Sequence, residues 1–469
     1  MIIRIARKEL TDQLRDGRFR ASALMVGALL LVSLGAGWTQ VSSARAQLEA
    51  AEATARNHWE SQGDKNPHSA AHYGVYAFKP RLPLSFVDQG VDPWTGTSVW
   101  LEAHRQNDFL MRPAQDASAA QRFGTLTAAG VLQQLVPLLI ILLGFGALAG
   151  ERERGTLRQV LASGVSRRDL MAGKAAGVAG ALALLVVPAA LLGSAALVLG
   201  STATGSLLAR AVVLAVVYLT YFGAFIGLAL AISAWVPSSR TALVTLLSLW
   251  VVNGLVAPRA AVDLSGWLHP SPTAFEFSRQ IEEGMANGVE GIRPPDRQAI
   301  TNRLLQEYGV DSVEDLPVNL SGITLQASEE FGNAVYDHNY TELWDTFERQ
   351  SRVHESLAVV APLLAVRALS MGLAGTDIEQ HRHFATAAET YRRDMMAAMN
   401  GDLAQNSRTG ETYLAGDELW VSVPPLDYEA PTLAWVLGNR TVSMLMLGLW
   451  LLGALSAAVA GARRAEVGP

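Results

Sequence analysis

The chain alternates long apolar runs with charged stretches. Six runs approach or exceed the length needed to cross a bilayer: Ala21–Trp38, Leu126–Ala149, Ala175–Leu199, Leu207–Trp235, Ala242–Val262 and Thr441–Ala460. A helix needs about 20 apolar residues to cover the hydrocarbon core. These runs are nearly free of charge, so they predict transmembrane helices rather than buried core helices. Trp38, Trp235 and Trp435 fall near predicted ends, where interfacial aromatics belong. No convincing cleavage site closes the first run, Gly35-Ala36-Gly37 being a weak one, so it reads as an uncleaved span.

Other periodicities fill the gaps. Ile3, Ala6, Leu10 and Leu14 recur at helical spacing, with Arg4, Lys8, Asp12 and Arg15 between them. Residues 1–20 therefore predict a cytoplasmic interfacial helix against anionic lipid. The region 39–125 opens with an Ala/Glu/Gln-rich helical stretch, Ala44–Trp59, and continues through Phe78-Lys79-Pro80-Arg81-Leu82-Pro83. The region 263–432 is long enough for its own core. Helices are predicted there at Thr273–Met285, Asp296–Tyr308, Ala327–Val360 and Thr376–Asn400, with Pro294-Pro295 as a start signal.

Basic residues orient the spans. Arg4, Arg7, Lys8, Arg15, Arg18 and Arg20 precede the first, and Arg152, Arg154, Arg158, Arg167, Arg168 and Lys174 follow the second. Arg240, Arg463 and Arg464 lie on the same side if both termini are cytoplasmic, while the loop Ser201–Ser206 is uncharged. This orientation satisfies the positive-inside rule and predicts a multi-pass membrane protein with both termini cytoplasmic. Regions 39–125 and 263–432 are then extracytoplasmic. The second carries 27 Asp and Glu against 11 Arg and no Lys. An acidic aqueous domain, with the basic clusters at the membrane boundaries, argues against a nucleic-acid partner.

Of 469 residues, half are hydrophobic, 17% are charged and none is Cys. That composition fits a membrane protein with sizeable aqueous parts and excludes disulfides, thiolate metal sites and Cys nucleophiles.

The most informative polar stretch is the segment 150–174. In it, Glu151…Gly155-Thr156-Leu157…Leu161…Ser163…Val165-Ser166-Arg167…Leu170…Gly173-Lys174 follows the second run. It resembles the coupling segment of ABC-2-type transporter permeases, a family with six spans and an interfacial N-terminal helix. One departure is Gly164, where Pro is common, leaving a more flexible turn. The insertion before the last run resembles an uncharacterised bacterial subgroup of these permeases, through Pro362-Leu-Leu-Ala-Val-Arg367-Ala-Leu-Ser-Met-Gly-Leu-Ala-Gly-Thr-Asp377, His381-Arg-His383-Phe384 and Tyr391-Arg392.

The resemblance implies a mainly α protein of the bacterial cytoplasmic (inner) membrane, of ABC-2 (type V exporter-like) fold. Its segments would be 1–20, spans 21–38, 126–149, 175–199, 207–235, 242–262 and 441–460, the coupling segment 150–174, and the extracytoplasmic parts 39–125 and 263–432. It implies no catalytic residue and no cofactor in this chain, with ATP and Mg held by a separate ATPase subunit. A second permease, identical or related, would complete the path. The coupling residues would be Glu151, Glu153, Arg154, Gly155, Thr156, Leu157, Arg158, Leu161 and Arg167. The arginines would meet an acidic groove of the ATPase, and Leu157, Val160 and Leu161 would form an apolar ridge. The bland account is that the arginines only enforce topology. The nearest phosphate-loop lookalike, Gly164…Gly173-Lys174-Ala175, has the wrong spacing and no preceding strand.

Other chemistry is weaker. Asp377 with His381, and Glu379 with His383, would share helix faces, making Asp377, His381 and His383 candidate metal ligands if others converge on them. Surface pairing is the simpler account. The spans offer Gln133, Gln134 and Asn253 but no carboxylate or His, which disfavours an intramembrane enzyme. Those amides are expected to bond across helices.

The function expected is the permease subunit of an ATP-driven ABC exporter. Two rivals stand beside it: a mechanotransmission or scaffold protein acting on an extracytoplasmic partner, and a metal-delivery module.

Overall fold

The computed structural model describes residues 1–116, 126–200 and 205–464. Residues 201–204 of the uncharged connection lie outside the described residues. The protein is mainly α-helical, with six described helices long and apolar enough to cross a membrane. They are Gly17–Glu60, Ala128–Glu153, Arg167–Gly200, Gly205–Trp235, Ser239–Leu268 and Thr441–Arg464. It is a multi-pass membrane protein.

The first span differs from expectation. The apolar run and the polar stretch 44–59 form one unbroken helix of 44 residues, about 66 Å at 1.5 Å per residue. That is roughly twice the hydrocarbon thickness. Its far end is fixed by the Trp59 indole, which donates to the Trp420 carbonyl at 2.9 Å, while Trp420 donates to Gly63.

The N-terminal helix Ile2–Arg15 packs along the start of the third span. Close approach there depends on missing side chains. A Cβ on Gly173 would lie 2.5 Å from Ile5 Cβ, and one on Gly177 would lie 2.5 Å from Glu9 Cβ. Small residues four apart let two helix backbones meet in this way.

Beyond the opposite end of the bundle lie a three-stranded antiparallel sheet and a helical domain. The strands are β1 Val75–Phe78, β2 Ser98–Glu102 and β3 Arg105–Gln106, in that order. The domain is built on two long helices, Leu320–Ser356 and Ile378–Asn406. Smaller helices start where the sequence signals them. Thr273 and Glu276 form a reciprocal cap before Ala274–Asn287, and Asp296 caps Arg297–Tyr308. Trp59, Phe384, Met395, Met396, Met399 and Trp420 are core residues joining sheet, first span and domain.

Between the two long helices the chain turns back into the bundle. The helix Pro362–Ala374 packs against the fourth and sixth spans, and ten of its 13 residues are buried. Its ends are satisfied by the spans themselves. Asn253 in the fifth span accepts from the Leu363 amide at 3.0 Å, and the Trp450 indole of the sixth span donates to Ala358 O at 2.8 Å. At the other end Arg210 of the fourth span donates to Leu373 O and Pro431 O. An acceptor at a helix N-terminus and a cation at its C-terminus match the free backbone groups and the dipole.

Candidate functional site

The basic segment folds as a compact corner. The second span ends at Glu153, and Gly155 follows in a left-handed conformation, φ 71°. That reverses the chain into the short helix Thr156–Ala162. Gly164, φ 84°, makes the second turn before the third span begins at Arg167. Proline, fixed near −65°, could not occupy that position, which accounts for the glycine there.

Three side chains lock this corner to the spans. Lys174 is buried and donates to Glu151 at 2.7 Å and to Glu9 at 2.8 Å. The N-terminal helix, the second span and the third span thus share one ion cluster. Arg152 donates to Ala234 O and Val236 O, at and just beyond the last residues of the fourth span. Glu153 accepts from the Ser239 amide and hydroxyl at the first residue of the fifth span. Each charge sits at the helix end its sign favours. Arg167 adds a bond to Arg463 O at the end of the sixth span.

The sites expected from sequence therefore divide by orientation. Arg154, Gly155, Arg158 and Arg167 are exposed, as are Arg168 and Glu153. Thr156 is half-buried and donates to Glu151 O. Glu151 and Leu157 are buried. The expected apolar ridge points the other way: Leu157 belongs to the bundle core, and Val160 and Leu161 pack against it. The apolar stripe of this amphipathic helix takes the nearest apolar surface, which is its own bundle. Its outward face is polar and basic.

A continuous polar chain runs through the bundle interior. Asn253 donates to Tyr221 OH, Tyr221 to Gln133 O, and Gln133 Nε2 to Tyr218 OH. Tyr218 bonds Ser370 on the inserted helix, whose hydroxyl donates to Asp88 at 2.5 Å. Two proline-linked π-turns make this possible, at Val131–Leu135 and Val252–Val256. Pro137 and Pro258 lack the N–H groups that would bond Gln133 O and Gly254 O. Tyr221 OH takes the first carbonyl and Gln134 Nε2 the second. The amides thus bond across helices, as their position in apolar runs requires.

Above this network a cleft of about 1390 Å³ separates the bundle from the domain. Gln133, Asp88 and Arg367 line it, Arg367 from the inserted helix. Arg367 is exposed and has no hydrogen bond or ion pair among the described residues.

At the cleft rim the candidate ligands Asp377, His381 and His383 go to separate partners. Asp377 caps the helix Ile378–Asn406 and accepts from Arg440 at 2.8 Å. Glu379 and Glu355 pair with the same guanidinium. Burial disfavours charge on Arg440, but Asp377 and Glu379 outweigh it and hold its pKa above the ordinary value. Burial raises the Glu379 carboxyl, which Arg440 only partly offsets. His381 turns into the core, edge-on to Phe109 with centroids 4.5 Å apart. Burial, with Lys79 and Arg112 nearby, pushes its pKa down to about 3. His383 bonds Tyr428 OH at 3.1 Å. Asp377, His381 and His383 thus face an arginine, an aromatic core and a tyrosine, and do not converge.

Among the described residues, the histidines that do converge are His68, His72 and His104. The first two are four apart after Asn66-Pro67, a helix-start signal legible in sequence. His104 joins them only through the fold.

No curated protein is similar enough to match this chain. Residues 274–429, which hold the acidic domain and the inserted helix, match a family described as a domain of unknown function (DUF3526).

Proposed function

We propose that the chain is the membrane-spanning subunit of an ATP-driven ABC exporter, coupled through residues 151–167 to a separate ATPase subunit on the cytoplasmic side. The observation that carries this reading is the corner itself. Arg154, Arg158, Arg167 and Arg168 form an exposed basic surface. Behind it, Glu151, Arg152 and Glu153 bond the third span, the end of the fourth and the start of the fifth. Force on this surface is transmitted to all of them at once. In this reading ATP and Mg belong to the partner, a second permease completes the path, and lipid surrounds the spans. Cargo would leave through the cleft above Gln133 and Arg367.

The test is copurification from native membranes with an ATPase assay. An ABC ATPase should accompany the chain, and Arg154→Glu with Arg158→Glu should abolish its stimulation while the chain still reaches the membrane. Leu157 is unsuitable for this test because it is buried. Undiminished stimulation in the double variant would overturn the coupling role.

A second reading, a mechanotransmitter that moves an extracytoplasmic partner, is favoured by one observation: the inserted helix joins the domain to the fourth and sixth spans. Flux into proteoliposomes separates the two. ATP-dependent flux sustains the exporter, and hydrolysis without flux sustains the mechanotransmitter.

A further inference from the structure

We propose that His68, His72 and His104 form a binding site for a divalent metal ion of the zinc class, with one coordination position open to solvent. One ligand nitrogen from each ring lies within 4.8 Å of the other two. His68 Nε2 and His104 Nε2 are 3.3 Å apart. Two imidazoles on a tetrahedral Zn²⁺, each nitrogen about 2.05 Å from the ion, would have their nitrogens about 3.3 Å apart.

The fold brings the ligands together deliberately. The helix Pro67–Tyr73 buries Ala70 and Ala71 against the core and presents His68 and His72 one turn apart. His104 sits in the tight turn between β2 and β3, and the Ala103 amide bonds Ala71 O on that helix. His104 has a φ of 66°, uncommon for a residue with a side chain. Such backbone strain persists only where the surroundings impose it, and it concentrates at functional sites.

The groups behind the ligands set their protonation. Glu329, buried on the helix Leu320–Ser356, accepts from both the His104 amide and Nδ1, each at 2.7 Å. With the proton on Nδ1, the Nε2 lone pair of His104 faces the cluster. A carboxylate behind an imidazole is the usual support of a metal-bound histidine. Arg392 at 3.1 Å holds Glu329 from the other side. Behind His68, Asn400 Oδ1 and His68 Nδ1 are both buried and neither has a hydrogen bond. The Asn400 amide nitrogen is engaged by Gln326, leaving an acceptor beside His68. An acceptor there favours the proton on Nδ1, so the His68 Nε2 lone pair also points inward. With both protons on Nδ1, two lone pairs would face each other at 3.3 Å, an arrangement that a shared cation satisfies. His72 is exposed and supplies the solvent side. The site stands whether or not the chain is a transporter subunit.

The experiment uses the untagged full-length chain in detergent, stripped with chelator and titrated with Zn²⁺, then with Co²⁺ to read the tetrahedral absorption bands. One equivalent should bind. His72→Asn, an exposed position that should not disturb folding, should weaken binding at least tenfold and change the cobalt spectrum. Glu329→Gln should weaken it about 10- to 100-fold. His383→Asn should bind like the parent. No stoichiometric binding by the parent, or parental affinity in His72→Asn, would overturn the site.

Discussion

Lys174 donates to Glu151 across 2.7 Å, and its side chain is only 2% exposed. Removing one member of a buried ion cluster strands the others, at a cost of about 3–5 kcal/mol. Lys174→Met should therefore lower the thermal unfolding temperature in detergent sharply. Lys174→Met with Glu151→Met should recover much of the loss, since packed apolar groups can replace a buried pair. A double variant no better than the single one would show that the charges do not act as a unit.

Asn253 serves two helices that are distant in sequence. Its amide donates to Tyr221 and its carbonyl caps the inserted helix at Leu363. Loss of an N-terminal cap costs about 0.5–2 kcal/mol, and Tyr221 OH would also lose its donor. Asn253→Leu is expected to reduce stability by that order and to loosen residues 357–374, measurable as faster hydrogen exchange there. Protection of 357–374 equal to that of the parent would refute the capping role.

Stability should fall in mild acid because of His381. Its folded pKa is about 3 against an ordinary 6.5, with burial the first cause. The unfolded chain takes up a proton below pH 6.5 that the folded chain refuses until about pH 3. Its contribution is thus complete above pH 6.5 and is lost as pH falls toward 3, at up to about 1.4 kcal/mol per pH unit. In unfolding scans from pH 7.5 to 4.5, His381→Leu should lose less stability than the parent. Parallel curves would rule this out.

The spans were legible because run length and absence of charge are local properties. The continuation of the first span was not. Its polar half reads as a separate region, and the partners that hold it, Trp420 for Trp59 and Val423 for Arg56, are 361 and 367 residues away. The inserted helix lies between the predicted helices Ala327–Val360 and Thr376–Asn400 and was missed, its 13 residues being too short a run to cross a bilayer. Arg367 in its middle interrupts the apolar run. In the corner, the sequence marks the arginines but not their directions. Lys174 finds Glu9 across 165 positions, and the apolar side of Thr156–Ala162 turns inward because the bundle core is the nearest apolar surface. The histidine site divides in the same way, with His68 and His72 given by helical spacing and His104 given only by the β2–β3 turn.

The helix Pro362–Ala374 gives the molecule an unusual anatomy. It lies within the stretch 274–429 that matches a family, yet it is masonry of the bundle. Excising that stretch would bare the apolar flanks of the fourth and sixth spans and leave the Asn253 carbonyl and the Trp450 indole without their partners. Grafting it onto another six-span protein would require cutting a socket to receive it. Domain and bundle therefore share one buried surface, and neither can be cut from the other without baring it.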